Sequence, residues 1–445
     1  MSNTDSGSPA KIFSSLSAIA VIVGIVVGIG IFRLPSIVAQ NTSSEWHYIS
    51  FWLVGGLISI IGALCYAELA TKKPDAGGEY YFLTEAYGST VGFLFSWGRM
   101  TVIQTGSIAL AAFILGDYAS TIYDLGPYSS SLYAGITVTG LTGLNIWGTH
   151  PSKNVQNGMT TLIVSILVIC GLVGFFTGGE VTSQEYTGDL TNSSAGAAMI
   201  FVLLTYGGWN EGVYLSAELK NVRKNMSRVL IIGLSVITIL YILINSAYLQ
   251  VLGLEQLRTS ETIGVDLTNN IFGTEGAFIM AVIVIISALS TANATIITGA
   301  RTNYALGRDF KALKWIGKWN TQYNSPINAL LVQGGISLAL IFLGAFTKEA
   351  VSTMVDYTAP VFWFFILLTT ISLFVFRNRE EHTEDNFEVP LYPLTPLLFI
   401  LSCMYLLYSS IMFTGWGAMV GIIFLLIGLP VYYWARNKSN NESYS

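Results

Sequence analysis

The chain has 445 residues, of which 52% are hydrophobic and 11% are charged, and its mean hydropathy is +0.59. Soluble globular proteins carry roughly 25% charged residues, so this composition excludes a soluble domain and indicates that most of the chain faces lipid. The formal net charge of −5, together with the lack of a long basic stretch in the sequence, excludes nucleic-acid binding as the function.

Apolar segments long enough to cross a bilayer recur along the whole chain and are separated by short polar connections. The sequence predicts twelve of them, near residues 13–39, 48–70, 89–115, 131–149, 154–177, 195–218, 228–250, 273–305, 326–346, 351–376, 393–413 and 416–436. We therefore expect an all-α membrane protein with one domain over residues 1–445. Its first apolar segment is expected to be a retained helix rather than a signal peptide, and residues 437–445 to be a polar tail.

The basic residues of the connections indicate the orientation. With Lys11 in the cytoplasm, the lysines and arginines of the connections fall on the cytoplasmic side, apart from Arg258 and Lys348. The positive-inside rule then predicts an even number of spans with both termini cytoplasmic.

Cys65, Cys170 and Cys403 lie inside apolar segments, so we expect packing residues rather than a disulfide or metal framework. The three histidines are dispersed in the connections without metal-ligand spacing.

Two apolar segments are interrupted by glycine at corresponding places. The first contains Gly24, Gly28 and Gly30, and the sixth contains Gly207 and Gly208. Such a pair is the sequence signature of an inverted-repeat transporter with discontinuous first and sixth helices. We predict a 5+5 inverted repeat, with residues 12–177 as the first repeat, residues 195–376 as the second, and two additional helices at residues 393–436.

The interrupted helices predict a site for a zwitterion. Free amides at the start of a half-helix favour an anion, and free carbonyls at the end of the other favour a cation. The amides that follow Gly28, Ile29 and Gly30 are expected to bind a carboxylate. Carbonyls near Val26, Leu204 and Gly207 are expected to bind an ammonium group. Small residues beside Leu204 and Thr205 indicate a neutral side-chain pocket. Alternatively, Gly24 and Gly28 form a small-xxx-small packing contact between helices.

Several ordered motifs resemble the amino acid-polyamine-organocation superfamily, within its L-type amino acid transporter branch. They are Val27-Gly28-Ile29-Gly30-Ile31-Phe32, Tyr66-Ala67-Glu68-Leu69, Pro74-Asp75-Ala76-Gly77-Gly78-Glu79-Tyr80-Tyr81, Tyr206-Gly207-Gly208-Trp209-Asn210 with Ala217-Glu218-x-Lys220-Asn221, Ala292-Asn293-Ala294, Gly299-Ala300-Arg301-x-x-Tyr304-Ala305-Leu306-x-Arg308-Asp309 and Val389-Pro390-Leu391-Tyr392-Pro393. The resemblance covers nearly the whole chain.

The resemblance implies an alternating-access carrier that exchanges or imports amino acids and has no enzymatic activity. It implies a substrate site lined by residues of both interruptions, namely Val26, Ile29, Gly30, Leu204, Gly207 and Asn210. Ile29 replaces the family's serine, so carboxylate binding is expected to depend on amides alone. Trp209 either gates the site, stacks on substrate or packs within the membrane.

A second departure concerns ion coupling. Ile163 stands where many sodium-independent relatives have a lysine. Without that lysine, the space is expected to hold Na⁺, bound by carbonyls of the first helix and the hydroxyls of Ser290 and Thr291, since oxygen ligands suit a hard cation. The alternative is that both hydroxyls bond their own helix. Glu211 either carries a coupling proton or faces a water-filled vestibule, and we expect the vestibule.

Three charged residues near the helix ends have predicted roles. Arg99 is expected to pair or to reach the membrane interface, and its position favours the interface. Glu68 and Glu218 are expected to form ion pairs that lock an inner gate, with ordinary surface pairing as the alternative. The expected partners are the neighbouring basic residues Lys72, Lys73, Lys220, Arg223 and Lys224. The loop from Asp117 to Ser131 has no cysteine, so we expect no disulfide-linked accessory subunit and a prokaryotic plasma membrane protein.

Two other classes of function remain as alternatives. A channel or receptor is disfavoured by the paired interruptions and short connections, and nothing resembles a selectivity-filter ring. A membrane enzyme would need a convergent group of histidine, cysteine or carboxylate side chains, which the spans do not offer.

Overall fold

The computed structural model describes residues 14–75, 78–147, 153–177, 195–215, 219–323, 325–347, 349–379, 387–412 and 416–441. Within these ranges the chain is helical, and the extended structure is limited to an isolated bridge between Asn320 and Ser325. Fifteen α-helices follow in chain order: α1 Ser15–Val26, α2 Leu34–Gln40, α3 Glu45–Lys72, α4 Glu79–Tyr87, α5 Ser89–Gly98, α6 Gln104–Ile122, α7 Ser129–Ile146, α8 Lys153–Thr177, α9 Ala195–Thr205, α10 Val222–Thr259, α11 Ile263–Asp309, α12 Ile327–Gly344, α13 Ala350–Arg379, α14 Leu394–Met412 and α15 Trp416–Asn441.

Eight helical stretches of the described chain are long and apolar enough to cross a membrane. They are Glu45–Lys72, Ser89–Ile122, Val222–Thr259, Ile263–Asp309, Ile327–Gly344, Ala350–Arg379, Leu394–Met412 and Trp416–Arg436. A ninth is added if Ala18–Phe32 and Leu34–Gln40, which meet at 57°, form one bent span. The protein is thus an all-helical, multi-pass membrane protein. Helices α7, α8 and α9 occupy three further predicted segments, and the count of twelve spans stays a prediction.

The helices pack closely through small residues. A Cβ atom added at Gly56 of α3 would lie only 2.4 Å from the Thr238 hydroxyl on α10, so only glycine permits this approach. The hydroxyl of Thr238 donates to the Leu234 carbonyl at 2.7 Å, which keeps the hydroxyl paired in an apolar interior. The three cysteines are buried free thiols, as their apolar surroundings predict.

The two glycine-containing interruptions are both breaks in the helical backbone. In the first, α1 ends at Val26 and a 3-10 turn, Ile29–Phe32, precedes α2. In the second, α9 ends at Thr205 and another 3-10 segment, Trp209–Leu215, begins after a turn. A further irregularity is a π-helical segment, Arg99–Ile103, between α5 and α6. All three lie in the part of the fold that contains the candidate site.

The helices α10 and α11 are longer than their apolar segments predicted. They are kinked at Gly253 (φ 72°) and Gly273 (φ 71°), and such positive φ values favour glycine. Beyond the first kink lies Arg258, which was predicted to occupy a loop but is only 6% exposed. Its guanidinium donates to the carbonyls of Ala39 and Thr42. It therefore satisfies carbonyls at the C-terminal end of α2.

Candidate functional site

The two breaks lie against each other. A Cβ atom added at Gly30 would be 3.7 Å from the Cα atom of Thr205, where α9 ends. One added at Gly208 would be 2.9 Å from Cγ2 of Ile25 in α1. The sequence separates these segments by about 180 residues, yet the fold brings both unwound stretches together. The residues that sequence reasoning placed in one site are thereby adjacent.

Tyr241 of α10 joins the two breaks. Its hydroxyl donates to the carbonyl of Val26 at 2.9 Å and to the carbonyl of Thr205 at 3.1 Å, so the ends of α1 and α9 share one donor. The side chain is fully buried. Backbone carbonyls freed by a break must find partners within a membrane protein. Tyr241 supplies such a partner to both helices, and sequence analysis missed it.

Two more buried tyrosines hold the 3-10 turn after the first break. Tyr118 of α6 donates to the carbonyl of Phe32 at 2.8 Å, and Tyr248 of α10 donates to the carbonyl of Ile31 at 3.2 Å. The turn is therefore fixed by side chains from two neighbouring helices. The hydroxyl of Tyr118 also accepts the amide of Gly264 at 3.1 Å, which connects the turn to α11.

The backbone groups predicted to bind a zwitterion are partly used within the protein. The Val26 carbonyl accepts the amide of Gly28 at 2.7 Å besides the Tyr241 hydroxyl. A carbonyl has two lone pairs, so an ammonium group at Val26 requires one of these donors to move. The Leu204 carbonyl accepts the Gly207 amide at 2.9 Å. Ile29 begins a helical turn, where the first amides have no partner within the turn.

The glycines of the breaks differ in what surrounds them. A Cβ atom at Gly28 would meet nothing closer than the Val26 carbonyl at 3.9 Å, so close helix packing does not account for this glycine. A Cβ atom at Gly207 would be 2.8 Å from the Leu204 carbonyl. Gly208 has φ of 100°, a conformation that other residues rarely adopt. The packing alternative for Gly28 is therefore disfavoured, and Gly207 and Gly208 are required by the turn itself.

The remaining predicted lining residues are mostly buried. Val26 and Ile29 are 2% and 5% exposed, while Leu204 is half-buried. The Thr205 hydroxyl donates to the Phe201 carbonyl at 2.8 Å, so this donor is used within α9. Trp209 packs edge-on against Tyr66, with ring centroids 5.0 Å apart. Of the three roles considered for Trp209, the structure displays the packing contact, and a gating or stacking role stays a prediction.

A group of charged and polar side chains lies directly after the second break. Arg99 of the π-helical segment donates to both carboxylate oxygens of Glu211, at 2.9 and 3.1 Å. Its guanidinium is also 3.9 Å from the carboxylate of Glu79, which accepts from the Tyr66 hydroxyl at 2.9 Å. The amide of Asn210 is 3.4 Å from the same carboxylate. We call these five residues the Arg99 cluster.

The Arg99 cluster corrects one expectation and adds to another. Arg99 is 6% exposed and paired, so it does not reach the membrane interface; its cost of burial is offset by two carboxylates. Glu211 is partly exposed and pairs with Arg99, and its place in a water-filled vestibule stays a prediction. Gln104, with its amide oriented to satisfy its partners, accepts from Arg99 at 3.0 Å and donates to the Thr295 carbonyl at 3.3 Å. The cluster therefore reaches α11.

Glu79 is the buried carboxylate of the Arg99 cluster. It lies at the start of α4, outside the membrane-crossing stretches, and is 3% exposed. Burial raises the pKa of this carboxyl above its ordinary value, and the neighbouring Glu211 charge adds to the rise. Arg99 and the hydrogen bonds from Tyr66 and Asn210 lower the pKa but do not outweigh the burial.

The predicted inner-gate residue Glu68 is at the centre of another ion-pair group. Its carboxylate is fully buried and accepts two hydrogen bonds from Arg377 of α13, at 2.6 and 2.7 Å. It also accepts the amide of Val389 at 2.8 Å and lies 3.1 Å from the Lys72 ammonium. Lys72 was among the expected partners, and Arg377 was not. Glu218, the second predicted gate residue, lies outside the described residues.

The residues predicted for ion coupling lie on helices beside the first break. Ser290 and Thr291 are half-buried on α11, which packs against the 3-10 turn Ile29–Phe32. Ile163 is buried on α8, which contacts both α1 and α11. Among the described residues, no three His, Cys, Asp or Glu side chains come together in a metal-binding group.

Two broken helices that meet inside a multi-pass helical protein, with buried tyrosines on their carbonyls, define a membrane transporter. The family model described as amino acid permease matches residues 13–434 of this chain. The chain therefore belongs to the amino acid permease family, whose members are transporters and not enzymes.

Individual relatives match over 80% or more of their length. The chain is 30% identical over 429 residues to the b(0,+)-type amino acid transporter 1 of Mus musculus, covering 94% of this chain and 86% of that protein. It is 27% identical over 444 residues to the serine/threonine exchanger SteT of Bacillus subtilis, covering 98% and 99%. It is 26% identical over 430 residues to the Asc-type amino acid transporter 1 of Mus musculus, covering 94% and 80%.

Proposed function

We propose that this protein is an alternating-access exchanger of neutral amino acids. The observation that carries the proposal is the contact between the two glycine breaks, with one tyrosine hydroxyl shared by the carbonyls of Val26 and Thr205. Unwound backbone at this position offers amides, which favour an anion, and carbonyls, which favour a cation, within a small volume. A zwitterion needs both, and no charged side chain is required to bind it.

The proposed pose assigns each end of the substrate to one break. The carboxylate binds the amides that follow Gly28, Ile29 and Gly30. The ammonium group binds the carbonyls of Leu204 and Gly207, and reaches the Val26 carbonyl once Tyr241 moves. The open space at Gly28 supports this pose, because a ligand can approach the backbone closely where no Cβ atom projects. The buried apolar side chain of Ile29 favours a neutral substrate.

The names of the relatives agree with this substrate class. Those proteins are described as amino acid transporters, one of them as a serine/threonine exchanger. The latter is matched over 99% of its length, so the comparison concerns the whole transporter. We extend amino acid exchange to this chain on that basis. We also propose a stand-alone protein of a prokaryotic plasma membrane, with twelve spans, a 5+5 inverted repeat and cytoplasmic termini.

Ion-coupled symport is the second candidate. Ile163 offers no cation between α1, α8 and α11, and the hydroxyl residues Ser290 and Thr291 lie on α11 beside the first break. Coordination of Na⁺ there would use oxygen ligands only. Proton coupling would instead use a carboxylate of the Arg99 cluster. A channel or receptor is the candidate of a different class. It is disfavoured because neither function requires two broken helices in contact.

The decisive experiment is uptake of labelled neutral amino acids into proteoliposomes that contain the purified protein. Vesicles are loaded with unlabelled amino acid or left empty, and the outer buffer contains Na⁺ or choline at two pH values. An exchanger takes up label only into loaded vesicles and ignores Na⁺. Uptake into empty vesicles that requires Na⁺ or a pH gradient would replace exchange by symport. A conductance without counterflow would establish the channel instead.

A further inference from the structure

One membrane-crossing stretch carries a charged residue near each of its ends. The stretch Ser89–Ile122 comprises α5, the π-helical segment and α6. Arg99 lies before α6 begins, and Asp117 lies five residues before α6 ends. At a rise of about 1.5 Å per residue, these two residues are about 27 Å apart along the helix axis. This span therefore presents a cation at one level and an anion at another.

The anion pairs with the first broken helix. Arg33 follows directly after the 3-10 turn Ile29–Phe32 and is 6% exposed. Its Nε atom lies 3.7 Å from a carboxylate oxygen of Asp117. The next residue of α6, Tyr118, donates to the Phe32 carbonyl. Two successive residues of α6 therefore contact two successive residues of the chain that follows the first break.

The cation pairs with the second broken helix. Arg99 donates to both carboxylate oxygens of Glu211, which lies six residues after α9 ends at Thr205. Gly30 and Thr205 are the residues at which the two breaks approach each other. From this approach the chain runs three residues to Arg33 and six residues to Glu211, and these two meet the span near its opposite ends. The breaks therefore lie between the two ion pairs.

The candidate site between the two pairs is closed. Val26, Ile29 and Asn210 are 2%, 5% and 5% exposed. Because the site consists of the unwound backbone itself, a substrate can enter or leave it when one of the broken helices moves away. Movement of the first helix separates Arg33 from the span, and movement of the second separates Glu211 from it.

The two pairs differ in strength. The Arg99–Glu211 pair has two charge-assisted hydrogen bonds, at 2.9 and 3.1 Å. The Arg33–Asp117 distance of 3.7 Å is longer than a hydrogen bond, and Nε of Arg33 has no hydrogen-bond partner in the described ranges. The other contact of Arg33, from Nη1 to the Ser260 carbonyl, is also long, at 3.4 Å. Separation at Arg33 therefore breaks fewer strong bonds than separation at Arg99.

The Asp117 carboxylate also keeps a partner when Arg33 moves away. The Ser130 hydroxyl of α7 donates to it at 2.6 Å. A carboxylate that remains hydrogen-bonded is less costly to leave without its cation. The Arg33–Asp117 pair is thus suited to open and close repeatedly.

Building on the proposed exchange function, we propose that Arg33–Asp117 and Arg99–Glu211 are two gates that close against one common span. The Arg33–Asp117 gate opens the site toward the side at which α2 ends, and the Arg99–Glu211 gate opens it toward the opposite side. With the proposed cytoplasmic termini, the Arg33–Asp117 gate faces the exterior. Being the weaker of the two, it is the gate that opens more often when no substrate is bound.

The test is thiol labelling of one cysteine introduced into the closed site. Gly28→Cys is suitable, because a Cβ atom at this position meets nothing closer than 3.9 Å. The native cysteines Cys65, Cys170 and Cys403 are replaced by alanine. A membrane-impermeant thiol reagent is added to right-side-out spheroplasts, which expose the exterior side of the protein. The same reagent is added to inside-out membrane vesicles from the same host, which expose the cytoplasmic side.

Each gate variant should change labelling from one side only. With both gates intact, we expect slow labelling that is faster in spheroplasts than in vesicles. Arg33→Gln should raise the labelling rate at least about fivefold in spheroplasts alone, and Glu211→Gln should raise it at least about fivefold in vesicles alone. Lys224→Gln, which removes an exposed cation elsewhere on the chain, should change neither rate.

A second variant covers the case in which Arg33→Gln does not fold. Arg33→Gln combined with Asp117→Asn removes both charges of the pair, so no buried charge is left without its partner. It should give the same increase in spheroplasts. A pair that only stabilises the fold would not give a one-sided increase in this double variant.

The proposal of two gates would be overturned by unchanged labelling in the gate variants, or by increases from the same side or from both sides at once. Faster labelling in vesicles than in spheroplasts, with both gates intact, would overturn the assignment of the weaker gate. Labelling needs no transported substrate. A protein that fails to exchange amino acids in proteoliposomes would therefore refute the proposed function, whereas the labelling rates alone decide the gates.

Discussion

Arg99 donates to both carboxylate oxygens of Glu211, and the pair joins the π-helical segment of one span to the 3-10 segment that follows the second break. The two residues are 112 positions apart in the chain. Since Glu211 is next to Asn210, a movement of the second broken helix must carry this ion pair with it or break it. The pair is therefore a direct connection between the candidate site and its surroundings.

Breaking the Arg99–Glu211 pair from one side should be worse than removing it from both. Arg99→Gln leaves Glu79 and Glu211 together without their cation, and Glu211→Gln leaves Arg99 with the more distant Glu79. We expect each single variant to reduce exchange at least tenfold, which corresponds to about 1.4 kcal/mol. The double variant should recover part of the activity that Arg99→Gln loses, because it leaves only the Glu79 carboxylate without a cation instead of two neighbouring carboxylates. Exchange in proteoliposomes measures all three, and strictly additive losses would contradict coupling within the cluster.

The glycines of the two breaks should not tolerate side chains. Gly30→Leu crowds Leu34 and Thr205, and Gly207→Leu collides with the Leu204 carbonyl, so both should abolish uptake while the protein still inserts into the membrane. Gly140→Ala is the control, since a Cβ atom at this helical position meets nothing within 4 Å. Membrane insertion is checked by yield and monodispersity of the purified protein. Full uptake by both leucine variants would contradict a site at the breaks.

Tyr241→Phe should impair exchange and stability together. It removes the hydroxyl shared by the carbonyls of Val26 and Thr205, and leaving a buried acceptor unpaired costs about 1–3 kcal/mol. Tyr133→Phe removes a similar bond, to the Tyr123 carbonyl, at an exposed position and should have little effect. Thermal unfolding in detergent and exchange rates give the two readouts. Equal behaviour of both variants would mean that the shared hydroxyl has no special role.

Glu68→Gln should strongly destabilise the protein. The fully buried carboxylate has hydrogen bonds from Arg377 and Val389, and removal of one partner of a buried pair typically costs about 3–5 kcal/mol. Glu275→Gln is the control, because that carboxylate is exposed to solvent, where an ionic interaction is worth about 0–1 kcal/mol. Thermal unfolding midpoints of the two variants test this difference, and similar midpoints would refute it.

Glu79 should make the stability depend on pH. Because burial raises the pKa of this carboxyl in the folded protein, folding favours its protonated form. The stabilisation is complete below the ordinary glutamate pKa and is lost as the pH rises through the raised value. Unfolding midpoints of wild type and Glu79→Gln are compared between about pH 5 and pH 8. The midpoint of the wild type should fall relative to Glu79→Gln as the pH rises, and a constant difference would exclude this role.

The helices and breaks were largely predictable, because they depend on local sequence. Apolar length identifies a helix, and clustered glycines such as Gly207 and Gly208 identify a break. Helix ends were less predictable near Gly253 and Gly273. A positive φ at each glycine kinks a helix that continues past the predicted end at residue 250 or begins before the predicted start at residue 273. The local pattern does not reveal whether a glycine bends or terminates a helix.

Partners across the chain were not predictable, because one sequence does not say which helices are neighbours. Tyr241 is 215 residues from Val26, and Arg377 is 309 residues from Glu68. A signal did exist in both cases, because Tyr241 and Glu68 lie inside predicted apolar segments. A tyrosine hydroxyl or a carboxylate there must find a partner, since an unpaired polar group in a membrane is costly. The sequence identifies the need for a partner, and the fold supplies its identity.

The shared hydroxyl of Tyr241 has a consequence for how the halves of the site communicate. One proton serves two acceptors, the carbonyls of Val26 and Thr205, so each receives only part of a full hydrogen bond. In the pose we propose, an ammonium group that donates to the Val26 carbonyl would leave the tyrosine proton to the Thr205 carbonyl, and the end of α9 would then be held more firmly. Binding at the first break would thus strengthen a hydrogen bond at the second.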